Sequence, residues 1–201
     1  MKRVLFTAIL AALPAAAQWR HFGYEPARPT GFVGIGVSAP MNPLARTVRP
    51  GWNLTGGVGV TGRYVGVLVD VMFTDLGLNH RTLHLAGASR GNQKYWAVTV
   101  DPIFHVNQRG PVDFYLTGGG GIYGRITRYY LPYGDVGPFS DPAQLLASYT
   151  VYKPGVDGGV GFAFNVGYAT HMKIFAEARY HHMFTRGSGS SFIPITVGVR
   201  F

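Results

Sequence analysis

The chain has 201 residues, contains no cysteine and carries a formal net charge of +9. Charged residues make up only 13% of it, whereas 47% of the residues are apolar and 29 are glycine. The length fits one domain, and the charge content is low for the surface of a soluble domain. Disulfide bonds are excluded, and no stretch reaches the roughly 18 to 20 apolar residues that a membrane-spanning helix needs.

Residues 1–17 have the order of a secretory signal peptide, with a basic start, an apolar stretch and small residues before a cleavage point. The alternative is an N-terminal core helix, but the apolar stretch is short and its flanks suit cleavage. We therefore predict that the chain is exported and leave residues 1–17 out of the fold.

Eight segments after this point alternate between large apolar residues and small or polar ones, as strands with one apolar face do. In chain order they are residues 33–37, 52–61, 64–74, 95–106, 112–126, 159–166, 174–181 and 193–201. The less apolar face is rich in glycine and threonine, which suits a narrow polar interior. The apolar face would then contact lipid, where a sheet is stable only if it closes.

The connections between these segments alternate in length. The short ones are residues 62–63, 107–110 and 169–171, and the long ones are residues 40–51, 75–93 and 129–154, whereas the last loop, residues 186–190, is unusually brief. Outer-membrane barrels join their strands by short periplasmic turns and longer extracellular loops. We therefore predict an all-β, eight-stranded antiparallel up-and-down transmembrane β-barrel over residues 31–201, with residues 18–30 as an N-terminal periplasmic segment.

Aromatic residues lie near several predicted strand ends, where amphipathic rings suit the lipid headgroup region. We assign to this aromatic girdle the residues Trp52, Tyr95, Trp96, Tyr129, Tyr130 and Tyr180.

The blocks GRYVGVLVDVMF, FYLTGGGGIYGR, FAEARYHHMF and IPITVGVRF resemble strands of the small outer-membrane barrels, namely the OmpA-like transmembrane domain and the OmpX, OmpW and opacity-protein group. The resemblance covers nearly all of the chain after the signal peptide. It implies a location in the cell outer membrane. It also implies that the barrel assembly machinery reads Phe201, preceded by Val199 and Val197, as an assembly signal.

Four charged residues fall on the inward face at similar mid-barrel heights, namely Asp70, Asp101, Glu177 and Arg179. A buried charge is costly unless it is paired, so we predict one ion network in which Arg179 bridges the carboxylates. Such a network would fill the interior, because an eight-stranded barrel is just wide enough for side chains. A narrow pore for small solutes is the alternative function of the same residues.

The basic residues are spread over loops and strand ends, which does not resemble nucleic-acid binding. Lipopolysaccharide phosphate is the natural anionic partner at an outer membrane, and we predict contacts from Arg46, Arg49 and Arg128. The other expected partner is outer-membrane lipid, and we expect a monomer. The favoured function is envelope integrity or surface interaction through the loops, without catalysis.

Motifs for catalysis, metals and cofactors are weak. Residues 119–124 spell G-x-G-x-x-G, but a strand continues through them, so no phosphate loop, and no cofactor, is predicted. His181 and His182 would point to opposite faces of a strand, so they would not bind one metal together. A lipid A-modifying hydrolase could use serines 188, 190 and 191 with His182 and Glu177, but Glu177 faces inward and His182 outward.

A soluble, lipocalin-like barrel with an apolar ligand in its lumen is the remaining alternative. It would require the valine, isoleucine and phenylalanine faces to point inward and would leave the four charged residues outside.

Overall fold

The computed structural model describes residues 27–107, 111–130, 145–166, 172–185 and 189–201. Eight antiparallel strands form a closed barrel, in which each strand pairs with the next and the last pairs with the first. They are β1 (Arg28–Pro40), β2 (Gly51–Thr61), β3 (Val65–Gly77), β4 (Arg90–His105), β5 (Val112–Tyr130), β6 (Leu145–Asn165), β7 (Lys173–Met183) and β8 (Ser190–Arg200). The predicted fold class is therefore confirmed.

Several strands are longer than the sequence pattern predicted. β1 begins at Arg28, before the predicted boundary at residue 31, because residues 28–30 pair with the end of β2. β4 and β6 also start well inside the predicted long loops, residues 75–93 and 129–154. These extensions pair through backbone groups with the last part of β5. Their own sequence does not alternate between apolar and polar residues, so the pattern did not predict them. The predicted signal peptide and most of residues 18–30 lie outside the described residues.

The two ends of the barrel differ. One end, here called the short-turn end, holds the β2–β3 turn and the beginning of β1 and end of β8. The other, the long-loop end, holds a 3-10 helix (Leu44–Arg46) and helix α1 (His80–Leu85), which Asn79 caps by accepting a hydrogen bond from the Thr82 amide at 2.9 Å. Neither is a membrane-spanning helix, since no helix among the described residues is long and apolar enough to cross a membrane.

The outer surface of the barrel is apolar. Valine and isoleucine side chains on alternate positions are exposed, for example Ile35 at 63% and Val58 at 65%. Their neighbours along each strand point inward, so β3 alternates strictly between exposed and buried residues over its first half. The charged residues Asp70, Asp101, Glu177 and Arg179 lie inside. This arrangement excludes the lipocalin-like alternative and is the one that a lipid environment stabilises.

The interior is packed in layers. Near the short-turn end is an apolar cluster that consists of Phe32, Leu68, Ile103, Tyr115, Ala163 and Phe175. A second cluster at the long-loop end includes Tyr95, Tyr123, Met183 and Phe192. The charged residues lie between these clusters. Because both clusters contain tyrosine and phenylalanine rings, the interior is more aromatic than the glycine-rich and threonine-rich pattern suggested.

The aromatic girdle is present on the outside at the long-loop end. Trp52 lies 5.4 Å from Phe73 and Trp96 lies 5.7 Å from Tyr152, measured between ring centroids. The assignments of Tyr95 and Tyr129 to the girdle were wrong, and Tyr129 packs against the interior cluster at the long-loop end. Tyr95 is fully buried and packs on Phe192 inside the barrel, because consecutive strand residues point to opposite faces.

Candidate functional site

An ion network crosses the lumen at mid-height, and Arg179 on β7 is its centre. Arg179 Nη1 lies 2.7 Å from Asp70 Oδ2 on β3 and 2.7 Å from Asp101 Oδ2 on β4. Glu177 Oε1 accepts a hydrogen bond from Arg179 Nε at 2.8 Å. The structure thus brings together all four residues that the sequence placed at this height.

A fifth charged residue, Asp157, was missed by the sequence analysis. Its Oδ1 lies 3.5 Å from Arg179 Nη1, and Tyr123 Oη donates to its Oδ2 at 3.4 Å. The predicted sixth segment began at residue 159, whereas β6 begins at Leu145. The inward-facing residues of that segment have odd numbers, and the next odd position before residue 159 is Asp157.

Two glycines leave the space that these carboxylates occupy. A Cβ at Gly57 would overlap Asp70 Oδ1, and a Cβ at Gly119 would overlap Asp101 Oδ1 and the carbonyl oxygen of Val100. Packed interiors do not absorb such an overlap without moving side chains or backbone. The glycine-rich inner face is therefore needed for the network to form in so narrow a barrel.

The network closes the lumen. The cavity beside it has a volume of about 10 Å³ and is lined by Asp70, Glu177 and Arg179 among others. This is room for no more than about one water molecule. Each of the five charged side chains belongs to a residue that is at most 8% exposed. Chemically, the arrangement can tie opposite walls together and can block passage of solutes.

The three predicted lipopolysaccharide contacts all lie at the long-loop end. Arg46 is exposed on the 3-10 helix, and the nearby Arg49 is exposed with its Nη2 3.4 Å from the Leu78 carbonyl oxygen. Arg128 follows Thr127, whose hydroxyl accepts a hydrogen bond from Gln93 inside the barrel, so the Arg128 side chain takes the outward face.

The predicted assembly signal lies on the seam where the barrel closes. Val197 and Phe201 are exposed by 52% and 62%. Val199 pairs with Val33 of β1, and the Phe201 amide donates to the Gly31 carbonyl oxygen at 2.9 Å.

The structure brings one serine and one histidine together. Ser191 and His182 are paired in register on β8 and β7, and Ser191 Oγ lies 2.8 Å from His182 Nδ1. Tyr180 Oη donates to the same Ser191 Oγ at 2.8 Å. Glu177, the acidic partner considered for this pair, is inside the barrel on Arg179. Serine 188 lies outside the described residues.

Among the described residues, no group of three or more His, Cys, Asp or Glu side chains could hold a metal ion. His181 is buried against Phe192, whereas the neighbouring His182 contacts Ser191, so the two rings do take opposite faces.

Comparison with solved structures gives the fold type. Neisserial surface protein A superimposes with a TM-score of 0.54 at 14% sequence identity, over 88% of this chain and 98% of that one. A major outer membrane protein from Thermus thermophilus superimposes with a TM-score of 0.58 at 12% identity, over 87% and 99%. This chain has the fold of the small outer-membrane barrels. No family model and no curated protein sequence matches it.

The small-barrel fold and the apolar exterior together assign the protein to the outer membrane, as predicted. In such barrels the short turns are periplasmic and the long loops are extracellular. The short-turn end is accordingly the periplasmic end, and the long-loop end is the extracellular end.

Proposed function

We propose that this protein is a non-enzymatic outer-membrane barrel that serves envelope integrity or surface interaction through its long-loop end. The observation that carries the proposal is the closed lumen, in which Arg179 and its carboxylates leave a cavity of only about 10 Å³. A barrel without a path for solutes has its outer wall and its loops available for function. We expect it to act as a monomer and without a cofactor.

Conductance across a planar bilayer tests this proposal against the narrow pore. The purified full chain is inserted into the bilayer, and a general porin in the same bilayer is the positive control. We expect no conductance steps from this protein. Reproducible steps would replace the proposal with the pore.

Lipopolysaccharide is the partner that we propose for the long-loop end. Arg128 lies further toward that end of β5 than Gly124, which pairs with Trp96 in the aromatic girdle. A cation just above a girdle is at the depth of lipid phosphate groups, where the guanidinium can bind bidentately. The exposed Arg46 and Arg49 add positive charge at the same end.

The amount of lipopolysaccharide that remains on the barrel after mild extraction from cells tests this partner. The triple substitution of Arg46, Arg49 and Arg128 by glutamine should lower it. A control replaces Arg28 and Arg63 by glutamine at the short-turn end, where the cell presents no lipopolysaccharide, and should leave it unchanged. Equal retention by the triple variant and this control would remove lipopolysaccharide as the partner of these arginines.

A lipid A-modifying hydrolase is the second candidate, and the contact between Ser191 Oγ and His182 Nδ1 favours it. The non-enzymatic proposal is supported by the burial of Ser191, which is 4% exposed, and by the acceptor role of its oxygen toward Tyr180. Masses of lipid A from cells that express the wild type, the Ser191→Ala variant or no barrel separate the two. Identical masses support the non-enzymatic barrel, and a change that depends on Ser191 supports the hydrolase.

Barrel assembly is the third element of the proposal. The alternate positions Val197 and Val199 on β8 and Phe201 directly after it support a role as the signal that the assembly machinery reads. Replacing Phe201 by serine should lower the amount of folded barrel in the outer membrane, while replacement by tyrosine should preserve it. Equal amounts of folded serine variant and wild type would exclude this role.

A further inference from the structure

The barrel holds a basic cavity at its short-turn end. This cavity has a volume of about 460 Å³, much larger than the space beside the ion network. Five residues that can carry positive charge line it, namely Arg28, Arg63, His105, Lys173 and Arg200. No Asp or Glu is among the described residues of its lining. We call this space the basic vestibule.

Arg200 is held at the inner wall of the basic vestibule by aromatic rings. Its Cζ lies 4.5 Å from the centroid of Tyr115, 5.4 Å from that of Phe175 and 5.7 Å from that of Phe32. The residue is 6% exposed, and its Nε has no hydrogen-bond partner among the described residues. Cation–π contacts fix the position of the guanidinium but leave its Nε–H without a hydrogen-bond acceptor among the described residues.

A second cation faces Arg200. Lys173 on β7 is paired in register with Arg200 on β8, and both residues line the basic vestibule. Like charges directly opposite each other destabilise a sheet. The carboxylate that pairs with Lys173 compensates only part of this charge, because Asp113 Oδ2 is shared by Lys173 Nζ at 3.3 Å and His105 Nδ1 at 2.9 Å.

We infer that the basic vestibule is a binding site for a phosphate-bearing ligand, with Arg200 and Lys173 as its principal contacts. A guanidinium fork matches the geometry of phosphate oxygens, the unpaired Nε–H of Arg200 is available to donate to one of them, and a lysine ammonium beside it supplies further charge. The volume of about 460 Å³ exceeds that of a bare phosphate ion, so the site accommodates a phosphate ester. Two sources share this chemistry, a phospholipid headgroup from the periplasmic leaflet and a soluble phosphomonoester.

Calorimetric titration of the full chain in an uncharged maltoside detergent tests the site, with sn-glycerol 1-phosphate as the probe. We expect saturable binding at one site per barrel. The Arg200→Gln variant should bind at least about tenfold more weakly, as loss of a charge-assisted hydrogen bond implies. Lys94→Gln is the matched control, since Lys94 is paired with Asp75 and does not line the vestibule. Its affinity should equal that of the wild type.

Two further variants keep the test informative. Lys173→Gln should weaken binding without removing the cation that lies among the aromatic rings. Arg200→Lys keeps the charge but loses the fork and should fall between the wild type and Arg200→Gln. A mobility shift on boiling verifies that each variant is folded. Absence of saturable binding by the wild type, or wild-type affinity in both folded glutamine variants, would overturn the inference.

The source of the ligand is read from a second titration, with dihexanoyl phosphatidylglycerol below its micellar concentration. Tighter binding of this lipid than of sn-glycerol 1-phosphate, lost in Arg200→Gln, assigns the basic vestibule to a phospholipid headgroup. Tighter binding of the phosphomonoester, lost in the same variant, assigns it to a soluble ligand. Binding of either probe that is unchanged in Arg200→Gln counts against the site.

Discussion

Arg179 Nη1 on β7 lies 2.7 Å from Asp101 Oδ2 on β4, although these two strands are not neighbours in the barrel. The same nitrogen lies 2.7 Å from Asp70 Oδ2 on β3. Backbone hydrogen bonds join each strand only to its neighbours, so these ion pairs connect walls that the sheet itself does not. The network therefore both fills the lumen and connects opposite walls of the barrel.

Replacing Arg179 by glutamine should destabilise the barrel strongly, because it leaves several carboxylates buried without their cation. Breaking a buried ion pair by removing one partner costs about 3–5 kcal/mol. Lys94→Gln is the matched control, since it removes a partly exposed pair with Asp75 that is worth at most about 1 kcal/mol. Equilibrium urea unfolding in lipid vesicles gives both values. Equal stability of the two variants would contradict the structural role of the network.

Gly119→Ala should destabilise the barrel, whereas Gly158→Ala should not. The Cβ at residue 119 overlaps Asp101 Oδ1 and a backbone carbonyl oxygen, while the Cβ at residue 158 has its nearest neighbour, the Thr117 carbonyl oxygen, 4.0 Å away. Overpacking of this kind costs about 1–3 kcal/mol. The same unfolding measurement compares them. A neutral Gly119→Ala variant would show that the interior has room that the structure does not.

An arginine on the outer wall should be costly at the middle of the membrane and tolerated near its edge. Val69 is on the outer wall beside the network residue Asp70, and Val106 is at the short-turn end. Arginine costs about 2–4 kcal/mol at the bilayer midplane of such barrels and about 0–1 kcal/mol near the interfaces. Unfolding of Val69→Arg and Val106→Arg in vesicles checks this difference. Equal costs would contradict a lipid-facing outer wall.

The fold was predictable because the alternation of apolar with small or polar residues identifies each strand and shows which residues lie on each of its two faces. The segment that ends in Val197, Val199 and Phe201 shows this most clearly, and the same parity placed Asp70, Asp101, Glu177 and Arg179 inside. The height of each residue followed from counting along its strand from a short turn. The alternation and the count along the strand are sufficient to place residues in the part of each strand that has an apolar outer face.

Other features could not be predicted from these rules. The extensions of β4 and β6 beyond the apolar band are held by backbone pairing, which does not depend on side-chain polarity. That error hid Asp157, which lies close to the predicted start of its strand. The opposition of Arg200 and Lys173 depends on the register between β7 and β8, which neither strand's own sequence contains.

Gel mobility of the outer-membrane fraction, with and without boiling, tests the central claim most directly. A closed transmembrane barrel should stay folded in cold detergent, migrate at a different apparent mass before boiling, and protect its strands from protease in vesicles. A protein that leaves the membrane without detergent, shows one mobility and is digested throughout would contradict the membrane barrel.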